Sequence, residues 1–413
     1  MKIAAIIAEY NPFHNGHHHQ VEETRRQTGA DYILAVMSGD FVQRGGPALC
    51  SKHFRTLMAL EGGVDAVIEL PSLYATSSAE FFASGGVTLL NQLGSIDILS
   101  FGSEAGELPP LIKCAHSLYS LDESYQSAIR EHLLNGCSYP AARAKVLAPG
   151  DQELLSSPNN ILGLEYCKAL ISSMSSIQPF TLKRQDSGYH QTSLNTSSEN
   201  LPGYASASAI RHALFQGMET IAAYVPDAVY QIIDRNHISS FMMTENNFSG
   251  LLHYKLLSEQ NEGFTSYLDC TPDLSDKIIK NLSFYTGFSD FCRLLKSKDL
   301  TYSRISRVLT HILLNIKTPE FYKPVLAKRK LFVPYARLLG FRKDAAPLLS
   351  QIKKHSAIPL ISKPANASAL LDKNAFELFK QDVYCACIYE SLLLDKYGIS
   401  PVNEWKQSPI ILP

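Results

Sequence analysis

The chain has 413 residues, 45% of them hydrophobic and 19% charged, with a formal net charge of -1. These totals fit a globular protein of two or three domains at about 150 residues each, and a net charge so small points to no acidic or basic partner by itself. No apolar run approaches the ~20 residues of a membrane span, and the first one, Met1 to Ala8, is too short for a secretion signal.

That first run is also the first expected strand, covering Lys2–Ala8. A helical stretch follows to Gly29, and the pattern then repeats: Tyr32–Met37 and a helix to Gly62, Ala66–Leu70 and a helix over Ala79–Leu93, then Ile96–Phe101. Short β-rich runs alternating with amphipathic helices predict βαβ units and a parallel sheet covered on both faces. Gly29, Gly62 and Gly94 stand where helix C-caps belong. Residues 103–158 read as mostly helical, Asn160–Ser173 as a helix and Phe180–Arg184 as a later strand. The Ser-, Thr-, Asn- and Gly-rich stretch Gln185–Pro202 reads as a loop, and Ser206 as the N-cap of a short helix ending near Gly217.

Beyond Pro226 the rhythm of β-runs and glycines gives way to longer amphipathic patterns, as in Asp276–Tyr285, Ser303–Ile316 and Ala375–Tyr397. The expected architecture is α/β: a Rossmann-like parallel-sheet domain over residues 1–219, followed by a mainly α-helical domain over 220–413. The eight cysteines are scattered without a C-x-x-C pair. That argues against a zinc site or a secreted disulfide framework and fits a reducing cytoplasm. No metal-ligand set is expected from the protein.

The segment that carries chemistry is Ile7-Ala8-Glu9-Tyr10-Asn11-Pro12-Phe13-His14-Asn15-Gly16-His17. A strand ends, an Asn-Pro turn follows, and His-x-Gly-His opens a helix. Ligands bind at the carboxyl ends of parallel strands, and a helix N-terminus offers free N–H groups to a phosphate. Gly16 lets a nucleotide lie close to the backbone. His14 and His17 are placed to donate to charge growing on an α-phosphate. At least one of His18 and His19, further along the helix, is expected to be structural or merely exposed.

His14-Asn15-Gly16-His17 resembles the HxGH signature of the nucleotidyltransferase superfamily. Ser206-Ala207-Ser208-Ala209-Ile210-Arg211 is similar to that group's second signature, which binds the β- and γ-phosphates. The wider context resembles the tRNA(Met) cytidine acetate ligase family. It is carried by Glu9–His17, Met37–Gly45, Phe101-Gly102-Ser103-Glu104 and Ser157–Leu162, and more loosely by Tyr302–Arg307 and Tyr335–Phe341. No Lys-Met-Ser-Lys-Ser loop is found; that family uses the Ser206–Arg211 element instead.

The resemblance implies an enzyme that activates acetate with ATP, with Mg²⁺ on the phosphates, and acetylates N4 of the wobble cytidine of elongator tRNA(Met). It implies catalytic roles for His14, His17 and Arg211. It implies ATP contacts from Ile7 through Gln20, meaning Ile7, Ala8, Glu9, Tyr10, Asn11, Pro12, Phe13, His14, Asn15, Gly16, His17 and Gln20. Gly102, Asn159, Arg184, Ser206, Ser208 and Arg211 complete that set. Asp40 and Arg44 read either as groups that order ATP or cytidine, or as a turn cap and a surface charge. Glu104 carries the same ambiguity.

Twelve Lys/Arg against two acidic residues between Tyr302 and Lys354 form a local basic excess suited to a phosphate backbone. Arg304, Arg307, Lys328, Arg329, Lys330 and Arg337 are its expected tRNA contacts, with Tyr322, Phe332 and Tyr335 as stacking groups. Two other readings share parts of this pattern. One is a small-molecule adenylyltransferase of dinucleotide cofactor synthesis; the other is a non-enzymatic RNA-binding protein.

Overall fold

The computed structural model describes residues 1–119, 123–134, 142, 145–146, 153–184, 203–317 and 331–413. The first half forms β1 (Ile3–Ala8), α1 (Asn15–Thr28), β2 (Tyr32–Ser38), a small hairpin of β3 (Phe41–Val42) and β4 (Gly46–Pro47), and α2 (Lys52–Glu61). It continues with β5 (Ala66–Leu70), α3 (Ser72–Ala75), α4 (Ala79–Leu93), β6 (Ile98–Ser103), α5 (Leu108–Tyr119) and α6 (Glu123–Leu134). Then come α7 (Pro158–Ser172), β7 (Gln178–Lys183) and α8 (Ala207–Leu214). The expected strands and their intervening helices are all present, and Gly29 and Gly94 end α1 and α4 in the left-handed conformation.

The second half contributes α9 (Asp227–Arg235), α10 (Ser249–Glu259), α11 (Pro272–Asn281), α12 (Phe288–Leu295) and α13 (Tyr302–Leu313). It ends with β8 (Ala336–Arg342), α14 (Ala346–His355), β9 (Leu360–Ile361), α15 (Ala367–Leu370), α16 (Lys373–Tyr397) and β10 (Ile410–Leu412). Among the described residues, no helix is long and apolar enough to cross a membrane.

The main sheet runs β10-β8-β5-β2-β1-β6-β7, with β9 also on β8. Its pairs are parallel except β5–β8, which is antiparallel. The expected division at 219/220 therefore cuts through one sheet. Three strands of the second half extend the edge that β5 would otherwise expose, and an uncovered edge is a liability for any sheet.

Side chains alternate across the sheet with the strand period of two. Ile3, Ala5 and Ile7 of β1 join a core with α4, α7 and α16, whereas Ala4 and Ile6 face a second core with α1, α2, α8 and α9. β1 is flanked by β2, next in the chain, and by β6, reached by a long crossover. Chain direction across the sheet reverses there, and in open α/β sheets ligands settle outside the strand ends at that switch.

Candidate active site

The turn after β1 is fixed by contacts that leave its polar atoms few alternatives. Tyr10 takes a positive φ of 47°, and the Asn11–Pro12 peptide is cis. Asn11 Oδ1 accepts from the Leu49 N–H at 2.7 Å. Phe13 is buried against Gly62, where a Cβ would meet the Phe13 ring at 2.4 Å, so only glycine fits that approach. Asn15 Nδ2 donates to the carbonyls of Ala223 (2.9 Å) and Gly203 (3.1 Å), which ties the start of α1 to the segment leading into and out of α8.

His14 is the N-cap of α1, and a capping box is built from the two histidines themselves. The Gly16 N–H donates to His14 Nδ1 at 3.1 Å, and the His14 N–H donates to His17 Nδ1 at 3.3 Å. Their rings stack at 3.7 Å between centroids, and the Tyr10 ring meets His17 edge-on at 4.9 Å. Burial first, then the positive charges of Arg184 and Arg211, push the His14 pKa down to about 3. Burial, His14 and Arg184 likewise hold His17 well below the ordinary histidine value. Both rings are thus neutral near pH 7. Each uses Nδ1 as an acceptor, so each carries its proton on Nε2. The pair presents two neutral Nε2–H donors rather than imidazolium charge.

Charge comes from the arginines. Arg211, on α8, donates from Nη1 to the Asn11 carbonyl (2.7 Å) and from Nη2 to Ser208 Oγ (3.0 Å). Ser206 caps α8 by accepting from the Ala209 N–H at 3.1 Å. Arg184 follows β7, and its Nη1 donates to Asn159 Oδ1 at 3.4 Å. Asn159 is in turn held by Glu104, whose carboxylate accepts from Asn159 Nδ2 (2.7 Å) and from the Asn160 N–H (2.8 Å) at the start of α7. Glu104 is therefore a helix cap that positions Asn159.

A pocket at the β1/β6 switch is lined by Gly16, His17, His19, Gln20, Gly102, Leu182, Lys183 and Arg184. Gln20 Nε2 donates to the Ser100 carbonyl at 3.3 Å, and a Cβ at Gly102 would press on Arg184 Cγ at 3.3 Å. The fold thus gathers Gly16, His17, Gln20, Gly102 and Arg184 from the expected set, with His14, Arg211 and Asn159 immediately behind. Ile7 turns under α4 at Gly86, and Ala8 ends β1. Pro12 is buried in the turn, and the Glu9 carboxylate accepts from the Gln43 N–H at 2.9 Å. His18 is exposed, with Nδ1 3.1 Å from the Gly62 carbonyl. His19 and Lys183 were not expected here. Their helical and strand registers beside His17 and Arg184 carried the only sequence signal.

Asp40 is buried and accepts from the Lys52 N–H at 2.7 Å, so it caps α2; Arg44 is exposed at the tip of the hairpin. Of the expected RNA contacts, Arg304 and Arg307 sit on α13, both half-buried, while Lys328, Arg329, Lys330 and Tyr322 lie outside the described residues. Arg337 requires correction. It is 2% exposed, with Nη1 3.0 Å from Glu69 Oε2 and Nη2 2.6 Å from Glu404 Oε1. A guanidinium buried between two carboxylates is out of reach of a nucleic-acid backbone. Tyr335 is also buried, its hydroxyl donating to Asp382 Oδ2 at 2.5 Å, and stacks on no base. Among the described residues no group of His, Cys, Asp and Glu could hold a metal ion.

Residues 1–400 match the HIGH Nucleotidyl Transferase family model. The tRNA(Met) cytidine acetate ligase of Clostridium acetobutylicum is 38% identical, covering 100% of both chains. That of Caldanaerobacter subterraneus is 40% identical over 98% of both. The crystal structure of Thermotoga maritima TmcAL bound with alpha-thio ATP superposes with a TM-score of 0.88 at 28% identity, covering 100% of both chains.

Proposed function

The chain belongs to the tRNA(Met) cytidine acetate ligase family within the HIGH nucleotidyl transferases, and from that premise we propose how its residues divide the work. The enzyme is an ATP-dependent ligase. An acetate oxygen attacks the α-phosphorus of ATP in line, the bond to the β-phosphate oxygen breaks, and pyrophosphate leaves with its electrons. The exocyclic N4 of the wobble cytidine in elongator tRNA(Met) then attacks the acetyl carbonyl, AMP leaves, and N4-acetylcytidine forms. The setting is cytoplasmic.

The observation that carries this reading is the pairing of two neutral Nε2–H donors with two nearby arginines at the strand switch. Neutral donors lose less on leaving water than imidazolium would, and they gain as charge grows on the phosphate. Arg211 and Arg184 supply the compensating charge for pyrophosphate. Mg²⁺ travels on the triphosphate itself; that ion keeps several waters and takes substrate phosphates as ligands.

The RNA side is served by α13. Ser306 Oγ donates to the Gly45 carbonyl, and a Cβ at Gly45 would strike the Arg307 backbone N at 2.3 Å. The hairpin that follows the β2 end thus rests on the helix bearing Arg304 and Arg307, and Arg44 precedes the Gly45 that packs against Arg307. That ridge rises from the ligand side of the sheet and suits a phosphate backbone.

Exchange of labelled pyrophosphate into ATP tests the first step. It should require acetate, and mass analysis of tRNA nucleosides should then show acetylcytidine. Exchange that ignores acetate but needs a phosphorylated small molecule would replace this reading with an adenylyltransferase.

A further inference from the structure

The acceptor base must meet the acetyl-adenylate beside the α-phosphate, and a cluster of polar side chains gathers at the ends of β1 and β2. Glu9 lies two residues past Ile7 and shares its side of the sheet by the strand period. Ser38 ends β2 two residues past Val36, again on that side. Arg55 Nη1 binds both carbonyls at once, Glu9 at 2.8 Å and Ser38 at 3.0 Å, which locks the two strand ends side by side. Gln43, on the hairpin, donates its backbone N–H to Glu9 Oε1 at 2.9 Å. Tyr166 reaches in from α7, whose first turn carries Asn159; its ring meets Phe101 at 5.6 Å, and the Glu9 charge acts on its hydroxyl.

Three polar atoms of this cluster are buried without a hydrogen-bond partner: Ser38 Oγ, Gln43 Nε2 and Tyr166 Oη. Ser38 is 0% and Tyr166 1% exposed, whereas Glu9 and Gln43 are only half-buried and form the mouth. Buried polar groups are nearly always paired, because leaving one unpaired costs roughly 1–3 kcal/mol. Three such atoms in one cluster, with the Glu9 carboxylate at its mouth, point to a polar ligand.

Its chemistry distinguishes the two remaining substrates. Acetate would meet the Glu9 carboxylate as a like charge. Cytosine offers an amino donor at N4 beside acceptors at N3 and O2, which complements one carboxylate acceptor next to amide and hydroxyl donors. Enzymes that act on a base turn it out of the stack and read this same edge.

We propose that Glu9, Gln43, Ser38 and Tyr166 form the seat of the flipped cytosine, and that Glu9 is a catalytic residue of the transfer step. It rests on the acetyl-transfer reading above. The N4 lone pair forms the bond to the acetyl carbon, the carbon–oxygen bond to AMP breaks with its electrons going to the phosphate, and the surplus N4 proton passes to the Glu9 carboxylate. Positioned proton transfer of this kind contributes about 10²–10⁴-fold.

The test supplies preformed acetyl-adenylate and an anticodon stem-loop RNA in single turnover, alongside acetate-dependent pyrophosphate exchange. Glu9→Gln keeps an oxygen to accept from the Gln43 N–H but cannot take a proton. Its loss in transfer should exceed its loss in exchange by about 100-fold or more. Equal losses in both steps would overturn the assignment and place Glu9 with the nucleotide. A second measurement needs no variant. The wild-type protein should bind a stem-loop with cytosine at the wobble position about tenfold more tightly than one with pyrimidin-2-one, which lacks the amino group, by the usual cost of one missing charged hydrogen bond. Equal affinities would overturn the seat. A wild-type protein that shows no acetate-dependent exchange would instead refute the underlying reading.

Discussion

Two regions of this molecule hold cations at the carboxyl end of the same sheet, and they use them in opposite ways. At the β1/β6 switch, Arg211 and Arg184 donate hydrogen bonds to neutral oxygens, among them the Asn11 carbonyl, Ser208 Oγ and Asn159 Oδ1. At the β5/β8 edge, Lys52 and Arg337 are enclosed with Glu69 and Glu404, all four at most 2% exposed. Lys52 Nζ lies 2.9 Å from Glu69 Oε1 and 2.5 Å from Glu404 Oε1. Neutral partners orient a cation without cancelling its charge. Carboxylate partners cancel it. Burial and Arg337 press on the Lys52 ammonium, but Glu404, Glu69 and Asp40 outweigh them and hold its pKa above the ordinary value. The first arrangement is a site; the second is a clamp that joins β8 and the C-terminal segment to the first half.

The clamp should fail most severely when one cation is removed. Lys52→Met leaves Glu69 and Glu404 to share Arg337, and breaking a buried pair typically costs about 3–5 kcal/mol. Urea unfolding should show that loss. A change below about 1 kcal/mol would mean that the network is not a stabilising unit. The next largest effect belongs to the site. His17→Ala removes an Nε2–H donor and also the acceptor of the His14 N–H. Acetate-dependent exchange should fall by about 10²–10³-fold, as for removal of one oxyanion-type donor. Exchange near the wild-type rate would remove His17 from the chemistry.

The two regions were not equally legible in the sequence. Strands β1, β2, β5 and β6, the HxGH turn and the Ser206 cap follow from short apolar runs, glycine caps and a capping serine. Each is decided within a few residues. The clamp is not local: Lys52, Glu69, Arg337 and Glu404 are brought together only when β8 pairs antiparallel with β5. β8 itself, Ala-Arg-Leu-Leu-Gly-Phe-Arg, carries two arginines and a glycine. Its Gly340 is required because Thr56 Cγ2 lies 2.7 Å from where a Cβ would stand. Charge counting assigned Arg337 to RNA because a one-dimensional count cannot see which carboxylate folds onto which cation. The neutrality of the two histidines was hidden for a related reason. A capping box is usually read from Ser or Thr with Glu or Gln, and here imidazoles take both parts.

That neutrality has a pH signature. The His14 pKa falls from the ordinary histidine value to about 3 on folding, so the unfolded chain binds more protons than the folded one between those two values. The stabilising contribution is complete above the unfolded value and is lost as pH drops below it. Stability should decline by about 1.4 kcal/mol per pH unit for each proton taken up on unfolding. His14→Gln should flatten that part of the profile in denaturation measured from about pH 6.5 down to about pH 4, inside the window that the lowered pKa opens. An unchanged slope would show that His14 is already charged in the fold.

The smallest effect sharpens the contrast between a cation used and a cation cancelled. Arg304 is shared with Asp269 at 3.5 Å and its side chain is one-third exposed, and Arg307 lies one helical turn away beside the Gly45 turn. Burial and Arg304 lower the Arg307 pKa while Asp269 raises it, yet an arginine so placed stays charged at neutral pH. Reversing both, Arg304→Glu with Arg307→Glu, should weaken tRNA binding by about tenfold and reduce its salt slope by about one for each phosphate no longer neutralised. Arg337→Met should do the reverse, lowering the unfolding free energy while leaving the salt slope alone. The slope is the informative quantity because counterion release registers only cations that touch phosphate. If Arg337→Met flattened it and the double reversal did not, the cations of α13 would touch no phosphate and the buried clamp would have to open onto RNA.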